Sequence, residues 1–200
     1  MNRVAVLNLL IEKRGYERYL EIGCEDDDCF SKIVCANKVG VDPLSGGTHR
    51  TTSDAFFAAA RAAGETFDLI FVDGDHHHHQ VLRDVENGLA TLRAGGCIVM
   101  HDCLPPKESW ATPERTQNDW CGTAWRAFAK LRERLDLECV CGAFDLGVGI
   151  VRVLPNPAPI ATGKSLDELD WADFVAHRAE WMRPLSSAEV WALIAGPWPA

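Results

Sequence analysis

Residues Phe67 to Cys103, FDLIFVDGDHHHHQVLRDVENGLATLRAGGCIVMHDC, decide the fold. Leu69 to Val72 is an unbroken apolar run, the pattern of a strand covered on both faces. Val81, Val85, Leu89 and Leu92 recur at helical spacing opposite Arg83, Asp84, Glu86 and Asn87, so a helix follows. Gly95 and Gly96 are expected to stop that helix, and Ile98 to Met100 opens a second apolar run. This is one βαβ unit, whose right-handed crossover puts both strand ends on the same edge of the sheet. Asp73, Asp75, His76, His101 and Asp102 fall just past those ends, where open parallel sheets collect ligands and chemistry.

Working outward, a helix is expected from about Asn2 to Arg14, a strand over Tyr19 to Ile22 and another over Lys38 to Val41, ending at Asp42. Asp54 to Ala63 is Ala-rich and reads as a helix. Beyond the central unit come a Pro-rich loop, Leu104 to Pro113, a helix over Trp120 to Leu135, and two strands within Leu137 to Val153 joined by a turn around Asp145 to Gly147. Strands alternating with helices and closed by a hairpin imply an α/β, doubly wound domain over residues 1–155. After Pro155 the pattern changes, and residues 156–200 are expected to form a C-terminal helical extension packed on the same domain. Ser165, Asp170 and Ser186 or Ser187 are its candidate caps. Trp171, Phe174, Val175, Arg178, Trp181 and Met182 would share one helix face. Whether this tail also roofs the site or mediates homo-oligomer formation stays open.

The 200 residues suffice for a substantial core, and a formal net charge of −9 without clustered Lys and Arg argues against nucleic acid as a partner. No apolar run approaches the roughly 18 residues that span a bilayer. The start, MNRVAVLNLLIEKRGYE, reads as a charged amphipathic helix and not a signal peptide, so no membrane partner and a cytoplasmic location are expected. Eight cysteines form no CxxC pair, and Cys139 and Cys141 share a strand face; buried free thiols are expected rather than disulfides or zinc. The run His76 to His79 sits at a helix start, so its four rings point in different directions. Trp120, Trp125 and Phe128 read as packing residues, with Trp120 able to face the pocket, and Asp145 reads as a turn residue serving the backbone.

Taken in order, YLEIG at Tyr19 to Gly23, VGVDP at Val39 to Pro43, FVDGDH at Phe71 to His76 and VMHDC at Val99 to Cys103 resemble the class I S-adenosylmethionine-dependent methyltransferases of the methyltransferase family 24 type. The resemblance runs over roughly residues 3 to 153. It implies a Rossmann-like, mostly parallel seven-stranded sheet and an O-methyltransferase acting on a small hydroxylated metabolite or sugar. It also implies cofactor contacts at Glu21, Gly23, Asp42 (ribose), Ser53 and Asp54 (adenine) and Asp73. For Asp54 an ordinary helix N-cap is the competing reading. One departure stands out: Glu25 and Asp27 occupy the second and third glycine positions of the family's cofactor loop. Asp tolerates a left-handed backbone better than most residues, and acids do not repel the cationic sulfonium and ammonium of this cofactor.

In the metal-dependent relatives, the positions of Asp73, His101 and Asp102 hold Mg²⁺. Two carboxylates suit that ion, and a mixed histidine and carboxylate set also suits manganese or iron. Alternatively His101 orients Asp102 or contacts substrate with no metal. His76, three residues past Asp73, sits where related sugar methyltransferases place a catalytic base, so His76 and Asp73 are the expected catalytic pair and His77 to His79 are expected to be dispensable. Two other functions fit the same sequence: a metal-dependent hydroxylase-like enzyme, and a non-catalytic binding or assembly subunit that keeps the fold.

Overall fold

The computed structural model describes residues 1–198. One sheet contains β1 (Arg18–Ile22), β2 (Asn37–Val41), β3 (Phe67–Val72), β4 (Leu92–Met100), β5 (Glu138–Gly142), β6 (Val148–Arg152) and β7 (Pro184–Leu185), in the order β2-β1-β3-β4-β6-β5-β7. Only β6 is antiparallel to its neighbours, which makes β5 and β6 the expected hairpin. The expected seven-stranded, mostly parallel α/β sheet is present. Its seventh strand is the two-residue β7, contributed from beyond Pro155.

Alternation along the strands assigns the helices to faces. Leu20, Ile22, Ile70, Val72, Ile98 and Met100 point to one side, where α2 (Ser53–Ala63), α3 (His78–Leu89), α4 (Ala124–Arg132) and α5 (Trp171–Met182) cover them with Phe57, Val85, Phe128 and Phe174. Tyr19, Leu69, Phe71, Cys97 and Val99 point to the other, under Leu7 and Leu10 of α1 (Arg3–Arg14) and Val190 and Ile194 of α6 (Ser187–Ala195). The eight cysteines are free and all but Cys35 are buried, with Cys139 and Cys141 on one face as expected.

Several boundaries differ from the sequence reading. Helix α3 stops at Leu89, and Leu92 already belongs to β4, as do Gly95 and Gly96. The Thr91 hydroxyl turns back onto the carbonyls of Asn87 and Gly88 and ends the helix without glycine. The two glycines instead build a bulge: partners run Phe67↔Leu92 and then Leu69↔Cys97, with Gly95 at φ +79°. A Cβ on Gly96 would lie 2.5 Å from the Asp68 carbonyl oxygen. Helix α4 is also shorter than Trp120 to Leu135, because Gly122 adopts φ +60° and the amide of Thr123 is bonded to the His76 carbonyl at 2.8 Å.

In the C-terminal segment, Asp170 and Ser186 each form a reciprocal capping box, at α5 and α6. Ser165 caps no helix; its amide donates to Glu168 within a turn. Phe174, Trp181 and Met182 are buried, whereas Val175 and Arg178 of the expected face are exposed. Phe174 packs on Trp125 with ring centroids 5.0 Å apart, and Arg14 donates to the carbonyls of Ile194 and Gly196. Residues 199 and 200 of the expected extension lie outside the described residues.

Candidate active site

Strand register aligns the site. Ile22 pairs with Val72 and Val72 with Met100, so Gly23, Asp73 and His101 leave the sheet side by side. Their amides continue the ladder, to the carbonyls of Val41, Ile22 and Val72 at 2.9, 2.9 and 3.1 Å. Packing alone requires glycine at position 23. At φ +89°, a Cβ there would lie 2.3 Å from the Asp73 carbonyl oxygen and from the Gly74 Cα. In the following loop Glu25 and Asp27 adopt φ +47° and +65°, so the two acids occupy left-handed conformations in the places of the family's glycines. Asp27 uses its side chain to anchor the loop, accepting from Gly47 N at 2.7 Å.

A cavity of about 580 Å³ opens between this loop, Asp42 and the start of α2. Asp42 Oδ2 accepts from the amides of Cys24 and Glu25, and Oδ1 from those of Leu44 and Ser45, at 2.7 to 3.2 Å. Burial pushes its pKa up, but these four donors hold the carboxyl below its ordinary value. Asp42 is therefore the clasp of both loops at the cavity mouth. Ser53 and Asp54 line the far part of the cavity. Asp54 is not the helix cap; Thr52 is, and Asp54 instead pairs with Arg83 at 3.0 Å. Beside them lies Asp84 of α3, which the sequence reading left on the polar face. It is buried, bonded by Gln80 at 3.0 Å, has Oδ2 without a partner, and burial raises its pKa to about 6.

Asp73 and His76, which line this cavity, converge with His101 and Asp102 beside it. His76 Nδ1 lies 3.1 Å from Asp102 Oδ2 and Nε2 3.6 Å from Asp73 Oδ1. His101 Nδ1 is 3.2 Å from Asp73 Oδ1 and 3.4 Å from Asp102 Oδ2, while its Nε2–H donates to the Asp145 carbonyl at 2.7 Å. Asp102 is aimed inward by a left-handed backbone at φ +59°. The chain after it is tied to the β5–β6 turn by Cys103 N to Gly147 O and Leu104 N to Leu146 O. Burial would lower the His101 pKa, but Asp73 and the bonds to Asp102 and Asp145 outweigh it and hold the imidazole well above its usual value. Burial likewise opposes ionisation of Asp73, yet His101, His76 and Arg3 keep its carboxyl below the ordinary range.

Arg3 had no local signal in the sequence. Its Nε is 3.6 Å from Asp73, and Nη1 and the backbone N reach the Asp145 carboxylate at 3.1 and 2.7 Å. Asp145 thus serves Arg3 and His101 rather than its own turn. Trp120, expected chiefly as a packing residue, instead lines the pocket, its ring stacked on His76 at 4.9 Å and 10°. Of the remaining histidines, His78 is buried and bonded through Nδ1 to Thr123 Oγ1 at 2.8 Å, whereas His77 is half-buried and His79 exposed.

A second cavity, about 250 Å³, shares Gly23, Glu25, Asp73, His76 and Trp120 with the first and adds Arg3, His101, Asp102 and Glu21. Glu21 is fully buried, accepts from Tyr19 Oη and keeps Oε1 without a partner. Burial raises its pKa to about 7, so its proton comes off near neutrality.

Residues 29–103 match the family model for a methyltransferase domain. Among solved structures, the chain is similar to an O-methyltransferase from Bacillus cereus in complex with SAH, at 16% identity and a TM-score of 0.57, covering 76% of this chain and 80% of that one. It is also similar to an SAH-bound methyltransferase from Podospora anserina, at 19% identity and 0.58, covering 76% and 77%. A third is a putative caffeoyl-CoA O-methyltransferase from Staphylococcus aureus, at 13% identity and 0.55, covering 76% and 83%. No curated sequence matches. The family match over residues 29–103 and the shared fold accord with the resemblance read from the four motifs.

Proposed function

We propose that the protein transfers a methyl group from S-adenosylmethionine to a hydroxyl of a small molecule, with Asp73 and His76 at the point of transfer. The observation that carries this reading is the meeting of the two cavities at Gly23, Asp73, His76 and Trp120. The larger has the size of a cofactor pocket and the smaller opens onto the carboxylate and imidazole cluster. Asp42 and the Ser53–Asp54 wall would hold the nucleoside, Gly23 and Glu21 the methionine end, and the cofactor would supply its methyl beside His76. Asp102 Oδ2 lies 3.1 Å from His76 Nδ1 without hydrogen-bond geometry and Asp73 Oδ1 3.6 Å from Nε2, so two carboxylates offset the charge the imidazole gains as it takes the acceptor's proton. As the hydroxyl oxygen bonds to the methyl carbon, the breaking C–S pair returns to sulfur and leaves the thioether S-adenosylhomocysteine. Stacking on Trp120 fixes the imidazole plane, which matters because in-line displacement depends on alignment.

The residues also fit a divalent cation. Asp102 Oδ1 is buried without a partner, and the His101 Nε2–H bond to Asp145 leaves Nδ1 turned towards both carboxylates, the orientation a ligating histidine has when its other nitrogen is held. Asp73, His101 and Asp102 would hold such an ion, with His76 in reach, and its contribution is to lower the acceptor hydroxyl's pKa. A mixed nitrogen and oxygen set suits manganese or iron better than Mg²⁺. Because His76 and His101 both lie within 3.4 Å of Asp102 Oδ2, two imidazoles and one carboxylate also resemble a non-haem iron site. A hydroxylase-like activity is the second reading. The free cysteines accord with a reducing cytoplasm, and among the described residues no helix is long and apolar enough to cross a membrane.

Calorimetric titration with S-adenosylhomocysteine, with and without Mn²⁺, tests the proposal. Saturable one-to-one binding is expected. No binding in either condition would overturn it, and iron-dependent turnover without cofactor binding would favour the hydroxylase reading.

A further inference from the structure

We propose that His78, His79 and Asp167 form a second metal site, for Zn²⁺ or a cation of similar softness, separate from the Asp73 cluster. Helix α3 begins at His78, and the turn that carries Asp167 precedes α5. Although His78 and His79 are adjacent in sequence, their Nε2 atoms converge on one oxygen, Asp167 Oδ1, at 2.9 and 2.7 Å. The rings lie side by side with centroids 4.5 Å apart. All three donor atoms fall within 4.8 Å of one another, and the charge of the set, two imidazoles and one carboxylate, matches a divalent ion.

Support for the ligating orientation comes from Thr123. Its Oγ1 lies 3.0 Å from His78 N and 2.8 Å from His78 Nδ1, so the His78 ring is anchored through one nitrogen while the other points out at Asp167. That is the outer-sphere hold usual for a metal-bound histidine. Burial fixes the His78 ring: its side chain is 4% exposed, against 50% for His79 and 68% for Asp167. In a tetrahedral zinc site, bonds of about 2.0 to 2.2 Å set ligand atoms about 3.4 Å apart. The present 2.7 to 2.9 Å contacts must therefore open by about half an ångström. The two exposed side chains provide that movement, and water completes the fourth position. A bound ion would staple the segment after Pro155 to the first turn of α3, two residues from His76.

The experiment is titration of the full chain with ZnCl₂, comparing the natural sequence with an Asp167→Asn, His79→Gln double variant. Both substitutions are at exposed side chains, and circular dichroism confirms that the variant is folded. The expected result is that the variant loses one equivalent of bound Zn²⁺, or that one binding step weakens at least tenfold. The Zn²⁺-induced rise in melting temperature should shrink with it. Substituting Co²⁺ should give the intense visible absorption of tetrahedral coordination in the natural chain and not in the variant. Identical zinc stoichiometry and affinity in the two proteins, or no binding by either, would overturn the site and leave Asp167 as an ordinary hydrogen-bond partner. A His77→Gln variant should bind as the natural chain does. Loss there would point to non-specific capture by the histidine run and would equally overturn the proposal.

Discussion

Gly122 lies directly over His76: a Cβ on it would stand 2.5 Å from both the His76 Cβ and the His76 carbonyl oxygen. The segment leading into α4 is thereby pressed against the proposed base, helped by the Thr123 amide on the same carbonyl. Gly122→Ala is expected to cost about 1 to 2 kcal/mol from its φ of +60° alone. Because His76 must also shift, methyl transfer should fall more than SAH affinity. Denaturant midpoints and turnover measured on the same preparation check this, and a variant with unchanged turnover would show that the His76 backbone position does not matter.

His76→Ala should lower turnover by about 10² to 10⁴ fold with SAH binding nearly intact. The control must spare His78, which is buried, and replace only His77 and His79. That control should stay within a few fold of the natural chain. Equal losses in both proteins would remove His76 from the base role.

At Asp42 the four amide donors give the carboxylate a part in loop structure beside its proposed one in the cofactor pocket. Asp42→Ala leaves those amides without their acceptor and should weaken SAH binding by about 1.5 to 3 kcal/mol, with a loss of stability of similar size. Asp42→Asn, which keeps one accepting oxygen, should recover part of both. Calorimetry and thermal melts separate the two effects; intact stability with lost affinity would assign Asp42 to the ligand alone.

Glu21 predicts a pH dependence of definite sign. Below its ordinary value of 4.5 the carboxyl is protonated in folded and unfolded chains alike. Between 4.5 and about 7 only the unfolded chain has released the proton, so the contribution to stability falls as pH rises through that window and is flat above it. The span corresponds to about 3 kcal/mol as an upper figure. Glu21→Gln should flatten this slope in denaturation curves taken across the window. If the cofactor's ammonium approaches Glu21, binding near neutral pH should also release a proton, seen as a dependence of calorimetric heat on the buffer's ionisation enthalpy. Buffer-independent heats would place the ammonium elsewhere.

The unit from Phe67 to Cys103 was legible because its two apolar runs and helical stripe are local patterns, and strand register then forces Asp73 and His101 together. The left-handed Asp27 accords with the tolerance of a short polar side chain for that backbone, whereas the left-handed Glu25, a longer acid, has no such signal in the sequence. What escaped were contacts made across the chain. Gly95 and Gly96 look alike as a helix stop or a bulge until the Asp68 carbonyl is seen beneath them. Arg3 and Asp145 meet over 142 positions of sequence, and Asp84 reads as one more polar residue on an exposed face until α2 is laid beside it.

The Arg3 contact gives the acid cluster a counter-ion on a leash. A guanidinium does not deprotonate in the accessible pH range, and this one donates to Asp145 through Nη1, while the Arg3 backbone N–H holds the same carboxylate, beside Asp73. The carboxylates therefore face a competitor at constant effective concentration, whatever the solution holds. An ion entering from solvent must exchange with that tethered charge, so its apparent affinity is set as much by the hold of Asp145 on Arg3 as by its own ligands.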